Sequence, residues 1–265
     1  MIKKIFLIGL LVLLAVPLYA QKESQKSNET PPTAGELLKW HEILTYEVRY
    51  SFVKLGEVKI EIVGDTLFNG NKGYYLKTII SSSDIPFVGD HKERFNTIFA
   101  KAGGSFKPLT FWIDDIGDDE FNTTRYIFDY QKEKVYGYIK EGNKRDTLAL
   151  EKPATAGHLL FLLSRLQAGM DTTVTFPVYI DLKEKKIFIT HTAKKVKQKS
   201  KAFKEPVMSY YTYGHVNFSG PFGFSGKFEA WYTAGPLRIP VEAHVAVWLG
   251  NVKLKLIKYK KELRK

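Results

Sequence analysis

The feature that most constrains this fold is one helical run set among short segments of strict alternation. Thr155–Gly169 reads T-A-G-H-L-L-F-L-L-S-R-L-Q-A-G, with five leucines and Phe161 and neither proline nor a β-branched residue inside it. Such a composition suits a helix interior. Thr155 is placed to cap the start, and Gly169 to end the helix in a left-handed C′ conformation. At about 100° per residue, Leu159, Leu162, Leu163 and Leu166 form one stripe, while Leu160 and Phe161 fall on its flanks. A helix lying on a flat surface has no use for apolar flanks. The expectation is a helix covered on more than one side, with Leu160 and Phe161 either packed in the core or lining a cavity for an apolar ligand.

Around it the period is two. Leu44, Tyr46, Val48, Tyr50 and Phe52 alternate with polar residues, and so do Val58, Ile60 and Ile62. Similar segments recur at 74–80, 95–100, 109–113, 124–130, 135–140 and 147–150, and after the helix at 174–180, 186–195, 210–218, 228–233, 239–249 and 252–259. Pro177 marks its segment as an edge strand or a bulge. A wetted second face means antiparallel sheet, and a dozen strands rarely stay flat. The predicted fold is mostly β: a large curved antiparallel sheet or half-open barrel of about a dozen strands around one central α-helix. A two-sheet sandwich with the helix at one end is the alternative.

The N-terminus reads as an export signal. Lys3 and Lys4 precede the apolar run Ile5–Val16, and Pro17-Leu18-Tyr19-Ala20 leads into a polar chain. The apolar run falls short of the ~20 residues of a membrane span. Residues 1–20 are therefore expected to be a cleavable signal peptide, 21–35 a disordered leader, and 36–265 a single β-rich domain. The periplasm is the expected destination, with secretion the alternative. With no cysteine in the chain, lipid attachment at the cleavage site, disulfides and thiolate chemistry are excluded.

The chain is basic, net +12, which suits contact with an anionic envelope component. Nine lysines lie between Lys183 and Lys204, with Glu184 the one acid among them. They read as a solvated edge guard or as a patch for anionic headgroups or glycans, with Lys194, Lys195, Lys197, Lys199 and Lys201 at its centre. Phe203, Tyr210, Tyr211 and Tyr213 stand near as apolar or sugar-stacking partners. The glycine-rich run 214–226 carries Phe218, Phe222 and Phe224, which either tuck onto a rim or form a lid over an apolar pocket. It matches no nucleotide-binding fingerprint, and no nucleic-acid motif is present. Asp114, Asp115, Asp118, Asp119 and Glu120 crowd around Gly117 without calcium-loop spacing. No serine-nucleophile elbow or zinc-binding histidine pair occurs, so no catalytic residue, metal or cofactor is expected. Glu242 and His244 share a strand face; the expectation is a satisfied contact on the outside, with an acid–base pair the alternative.

The block Trp231-Tyr232-Thr233-Ala234-Gly235-Pro236-Leu237-Arg238-Ile239-Pro240-Val241 resembles the C-terminal signature of a bacterial exported family catalogued as domain of unknown function 3108. Phe52-Val53-Lys54-Leu55-Gly56-Glu57 and Leu163-Ser164-Arg165 extend the likeness over about 40–259. Ala234-Gly235-Pro236 stands where that family usually has an acidic residue. The resemblance implies export and a β-rich fold, and no activity. Arg165, at the helix end, is expected to satisfy its last carbonyls. Arg238 is expected to reach a carboxylate or the same helix end. With Leu160, Phe161, Phe218, Phe222, Phe224 and Trp231 they complete the ligand-binding candidates. The functional expectation is a non-catalytic envelope protein binding a lipid or acyl chain between sheet and helix. An envelope scaffold or glycan-binding protein using its lysine face is the alternative.

Overall fold

The computed structural model describes residues 30–82, 91–117, 121–216, 218, 226–247 and 250–264. The proposed signal peptide and most of the leader lie outside them. Fourteen strands form one antiparallel sheet. The first eight are β1 (Trp40–Tyr50), β2 (Val53–Phe68), β3 (Asn71–Ser82), β4 (His91–Ala102), β5 (Ser105–Asp115), β6 (Phe121–Asp129), β7 (Lys134–Ile139) and β8 (Lys144–Ala149). After the helical segment come β9 (Thr172–Ile180), β10 (Lys183–Gln198), β11 (Val207–Val216), β12 (Gly226–Thr233), β13 (Pro240–Val247) and β14 (Gly250–Leu263). Each strand pairs with its neighbour in sequence, and β1 pairs with β14 to join the two arms. The sheet edges are therefore β8 and β9, in the middle of the chain. Pro177 lies on one of these edges, as its missing N–H requires.

The ladder does not close. The two edges meet through side chains and single backbone groups instead. Tyr179 donates its hydroxyl to the Ala149 carbonyl (2.9 Å) and accepts from the Glu151 N–H (2.8 Å). The Leu182 N–H donates to the Tyr126 hydroxyl at 3.1 Å. Gly137 makes this possible, because a Cβ there would lie 2.5 Å from Leu182 Cδ2 and 2.9 Å from the Tyr126 ring.

Two short helices fill the concave side. The first, α1 (Ala34–Leu38), has a full capping box: the Glu36 N–H donates to Thr33 Oγ1 (3.2 Å) and the Thr33 N–H to Glu36 Oε2 (2.7 Å). Ala34, Leu37 and Leu38 are buried in the main core. The leader assigned to 21–35 thus overlaps ordered chain: Thr33-x-x-Glu36 is a helix start, and burial of Ala34 holds it.

The central helix is shorter than Thr155–Gly169. A 3-10 turn at Gly157–Leu159 runs into α2 (Leu160–Arg165). Thr155 does not cap it. Its N–H donates to the Pro177 carbonyl in a parallel bridge to β9, and its hydroxyl has no partner among the described residues. The edge strand, with backbone groups to satisfy, holds the chain extended until Ala156. Gly169 does take the left-handed conformation (φ +92°), and a Cβ would lie 2.9 Å from the Tyr210 ring. Leu159, Leu162 and Leu163 sit in the main core with Leu44, Ile62, Leu76, Phe99, Ile189 and Leu256 from both arms. The helix is covered by the sheet, though it is a plug of two turns and not a long rod. Among the described residues no helix is long and apolar enough to cross a membrane.

Candidate functional site

The interior is best built from its closed end. Glu42 shares the inward parity of Leu44 and Tyr46 on β1, so the strand's own alternation carries a carboxylate into the core. Arg165 meets it from the last turn of α2 with two bonds, Nη1 to Oε2 at 2.7 Å and Nη2 to Oε1 at 3.1 Å. Both side chains are fully buried. Arg165 Nε donates to the Leu237 carbonyl (2.8 Å) and the Tyr259 hydroxyl to Glu42 Oε1 (2.6 Å). Burial, reinforced by the Glu42 charge, pushes the Tyr259 phenol well above its ordinary range. The expected roles of the two arginines are divided accordingly. Arg165 takes a carboxylate, and Arg238 holds the chain just past the helix, donating to the carbonyls of Ala168 (3.1 Å), Ala234 and Gly235 (3.0 Å) over the Tyr210 ring. Neither arginine faces a ligand space; both are 0% exposed.

His158 fixes the other end of the helical segment. Its Nδ1 pairs with Thr78 Oγ1 (2.8 Å) and its Nε2 with Thr97 Oγ1 (2.6 Å), between the rings of Phe95 and Phe111. Burial pulls its pKa down to about 3. Neither Glu42 nor His158 was among the expected site residues. For Glu42 the signal was present: an acid in register with Leu44 and Tyr46.

Beyond α2, toward the β1–β2 and β11–β12 ends of the strands, the packing loosens. Val48, Ile60, Ile80, Phe228 and Leu254 point inward yet are half-buried, as are Leu160 and Phe161 on the helix. Small residues line the neighbouring register. Ala230 pairs with Ala243, which pairs with Leu254, and Leu254 pairs with Val48. Gly214 has no room for a side chain, since a Cβ would lie 2.3 Å from Phe228 Cζ and from the Phe188 carbonyl. The ring of Phe228 therefore lies against the wall. This half-buried apolar stretch of the inner face, beside α2, is the mouth end of the half-barrel. Phe218 is half-buried against the same core. Phe222 and Phe224 lie outside the described residues. Trp231 faces the other way: alternation with the inward Ala230 and Tyr232 puts it on the outer face, 4.8 Å from the His244 ring and 5.6 Å from that of Tyr211.

The other surface features are also placed. His244 Nε2 meets Glu242 Oε1 at 2.7 Å on the outer face, as the strand register requires. The lysine run is not one patch. Lys183, Lys185 and Lys186 begin β10, while Lys194, Lys195 and Lys197 lie near its far end, with Lys199 and Lys201 beyond. Sixteen strand residues of ~3.3 Å rise separate the ends by roughly 50 Å. Lys194 and Lys195 lie over the rings of Tyr211 and Tyr210, and Lys201 is 3.8 Å from Glu47. In the acidic cluster, Asp114 is buried and accepts from Arg94, Asn96 and Trp112. Asp118, Asp119 and Glu120 fall outside the described residues. Among the described residues no group of three or more His, Asp or Glu could hold a metal ion.

A family model described as protein of unknown function DUF3108 matches residues 45–257. The chain belongs to this family. In this DUF3108 chain the match runs from β1 to β14 and takes in the helical plug and the whole mouth. No curated protein matches the sequence. Among solved structures it is similar to the beta-barrel-like protein of domain of unknown function DUF1849 from Brucella abortus, at 11% identity and a TM-score of 0.52. That match covers 84% of this chain and 98% of the other. At such identity the likeness concerns the fold alone, a barrel-like sheet.

Proposed function

We propose that this DUF3108 protein is an exported, non-catalytic carrier that takes the hydrocarbon part of a lipid or other amphipathic molecule into the mouth of its half-barrel. One observation carries the reading: inward-facing Val48, Ile60, Ile80, Phe228 and Leu254 stay half-buried around Leu160 and Phe161. Apolar surface held inside a sheet and left partly open is what an apolar guest covers, at roughly 25 cal/mol per Å². The ionisable groups that bracket the helical plug are already committed, Glu42 to Arg165 and Tyr259, and both ring nitrogens of His158 to threonines. They serve the packing and favour binding over catalysis. The signal-like segment Met1–Ala20 supports export, and the absence of cysteine supports a protein without a lipid anchor.

The test is direct. The purified protein is expected to retain lipid under native mass spectrometry and to bind a fluorescent fatty acid. Phe161→Glu is expected to weaken that binding by at least about tenfold, since the guest would have to desolvate a carboxylate. No co-purified lipid together with no binding of the probe would remove the carrier reading.

A further inference from the structure

We propose a second binding site, on the outer face of β6–β8, for an acidic saccharide: a sugar ring bearing a phosphate or a carboxylate. The register places two cross-strand rows side by side there. Trp112 pairs with Arg125, Arg125 with Tyr138, and Tyr138 with Arg145. Beside them Ile127 pairs with Tyr136, and Tyr136 with Thr147. These residues alternate with Tyr126, Phe128 and Val135, which are buried on the inward face, so both rows point outward. Between them lies a groove of about 510 Å³ lined by Arg125, Ile127, Tyr136, Tyr138, Arg145 and Thr147, with Gly137 and Asp146 at its base, the Asp146 carboxylate accepting from the Thr147 N–H at 2.7 Å. That size lies within the ~300–1,000 Å³ of small-molecule sites.

The chemistry of the lining selects the ligand. Among the described residues, neither guanidinium is in an ion pair, and the hydroxyls of Tyr136, Tyr138 and Thr147 make no hydrogen bond. Several other outward cations on this sheet are paired with acids, among them Arg94 with Asp114, Lys77 with Glu61 and Lys255 with Glu242. Both arginines are held over rings, Arg125 at 5.9 Å from Trp112 and Arg145 at 5.2 Å from Tyr138, which fixes the planar fork without using its donors. Two forks suited to a bidentate anion stand along one side of an apolar floor of Ile127 and Tyr136, with three hydroxyls at its margin. A bare anion would leave the floor and hydroxyls unused, and a neutral sugar would leave the forks unused. A ring with an apolar C–H face, several hydroxyls and one acidic group uses all three. The site lies on the opposite face from the mouth and is independent of the carrier reading.

Glucose 6-phosphate, glucuronate, glucose and inorganic phosphate would be titrated separately into the purified protein, with binding read by NMR shift changes and calorimetry. At least one acidic sugar is expected to bind about tenfold or more tightly than glucose and than phosphate, with shifts confined to β6–β8. R125A/R145A is expected to abolish that preference, and Y136A to weaken the acidic sugar while sparing phosphate. K132A/K134A, which removes equal charge close by, is expected to change nothing. Thermal melts of all variants check that the exposed substitutions leave the fold intact. Failure of both acidic sugars to bind, phosphate binding as tightly as either, or binding that survives R125A/R145A would each overturn the proposal.

Discussion

Glu42→Gln is expected to lower the unfolding free energy by about 3–5 kcal/mol, the cost of leaving a buried guanidinium without its counter-ion. The magnitude follows from where the pair sits. Arg165 and Glu42 are both 0% exposed, and neither has water to fall back on. Glutamine keeps the shape and one acceptor, so the loss isolates charge from packing. The pair also joins α2 to β1, and Tyr259 on β14 closes the triad. The damage should therefore appear as one cooperative transition at lower urea, with an unchanged slope. Joint replacement, E42L with R165M, is expected to recover most of the loss, because two apolar chains of similar volume need no partner. Urea unfolding followed by fluorescence measures both. A Glu42→Gln variant within about 1 kcal/mol of the native chain would mean that Arg165 reaches water or another acid, contrary to the buried geometry.

Acidification should destabilise the protein well before its carboxylates titrate. Burial holds His158 down to about 3 and His191 down to about 4, against an ordinary 6.5. His191 bonds Thr212 through Nδ1 (3.0 Å), and its Nε2 has no partner among the described residues. Both folded values lie below the unfolded one, so as pH falls through about 6.5 the unfolded chain gains protons that the folded chain refuses. Stability is then full above that value and declines as pH falls toward about 4, by up to ~1.4 kcal/mol per pH unit from each histidine. Glu47 is lowered chiefly by its bond from Arg49. For Glu61, burial pushes upward but bonds from Lys77 and His41 prevail, so both acids lose protons below their ordinary 4.5. Glu184 is raised, by burial and then by neighbouring Glu151, and so opposes the trend; the fall in stability between about 4.5 and 6.5 is therefore the histidines' contribution. Urea midpoints across it are expected to fall steadily in the native chain, and about half as steeply in His158→Gln. Equal slopes in the two would show that His158 is not the refusing group.

The architecture was legible because alternation and the leucine-rich run are local signals. Inward parity on β1, β2 and β10 follows directly from Leu44, Ile62 and Ile189. Gly169 reads as a stop because only its conformation fits beside Tyr210. Other elements depend on tertiary contact and leave weaker traces. Thr155 has the right chemistry for a cap, but the β9 edge takes its backbone first. Trp231 looks like a ligand anchor by size, and only counting parity from Ala230 turns it outward. Thr33-x-x-Glu36 is a helix start in plain view, hidden by the polar leader before it. The partnership of Glu42 with Arg165 spans 123 residues, a distance at which nothing local joins them. The outer groove is harder still to foresee, since its two rows exist only once four strands are in register.

The place of the chain ends has a consequence for assembly. Twelve of the thirteen ladders join consecutive strands, but β1 and β14 meet across a separation typified by Glu42 and Tyr259, 217 residues apart. Hairpins zip quickly, and the closure of so long a loop comes after them. Each arm can therefore grow outward from its own turns while the centre of the sheet waits for β1 and β14 to meet. Pulse-labelled hydrogen exchange is expected to find β1 and β14 the last amides protected, so that the middle of the finished molecule is the final part to be made.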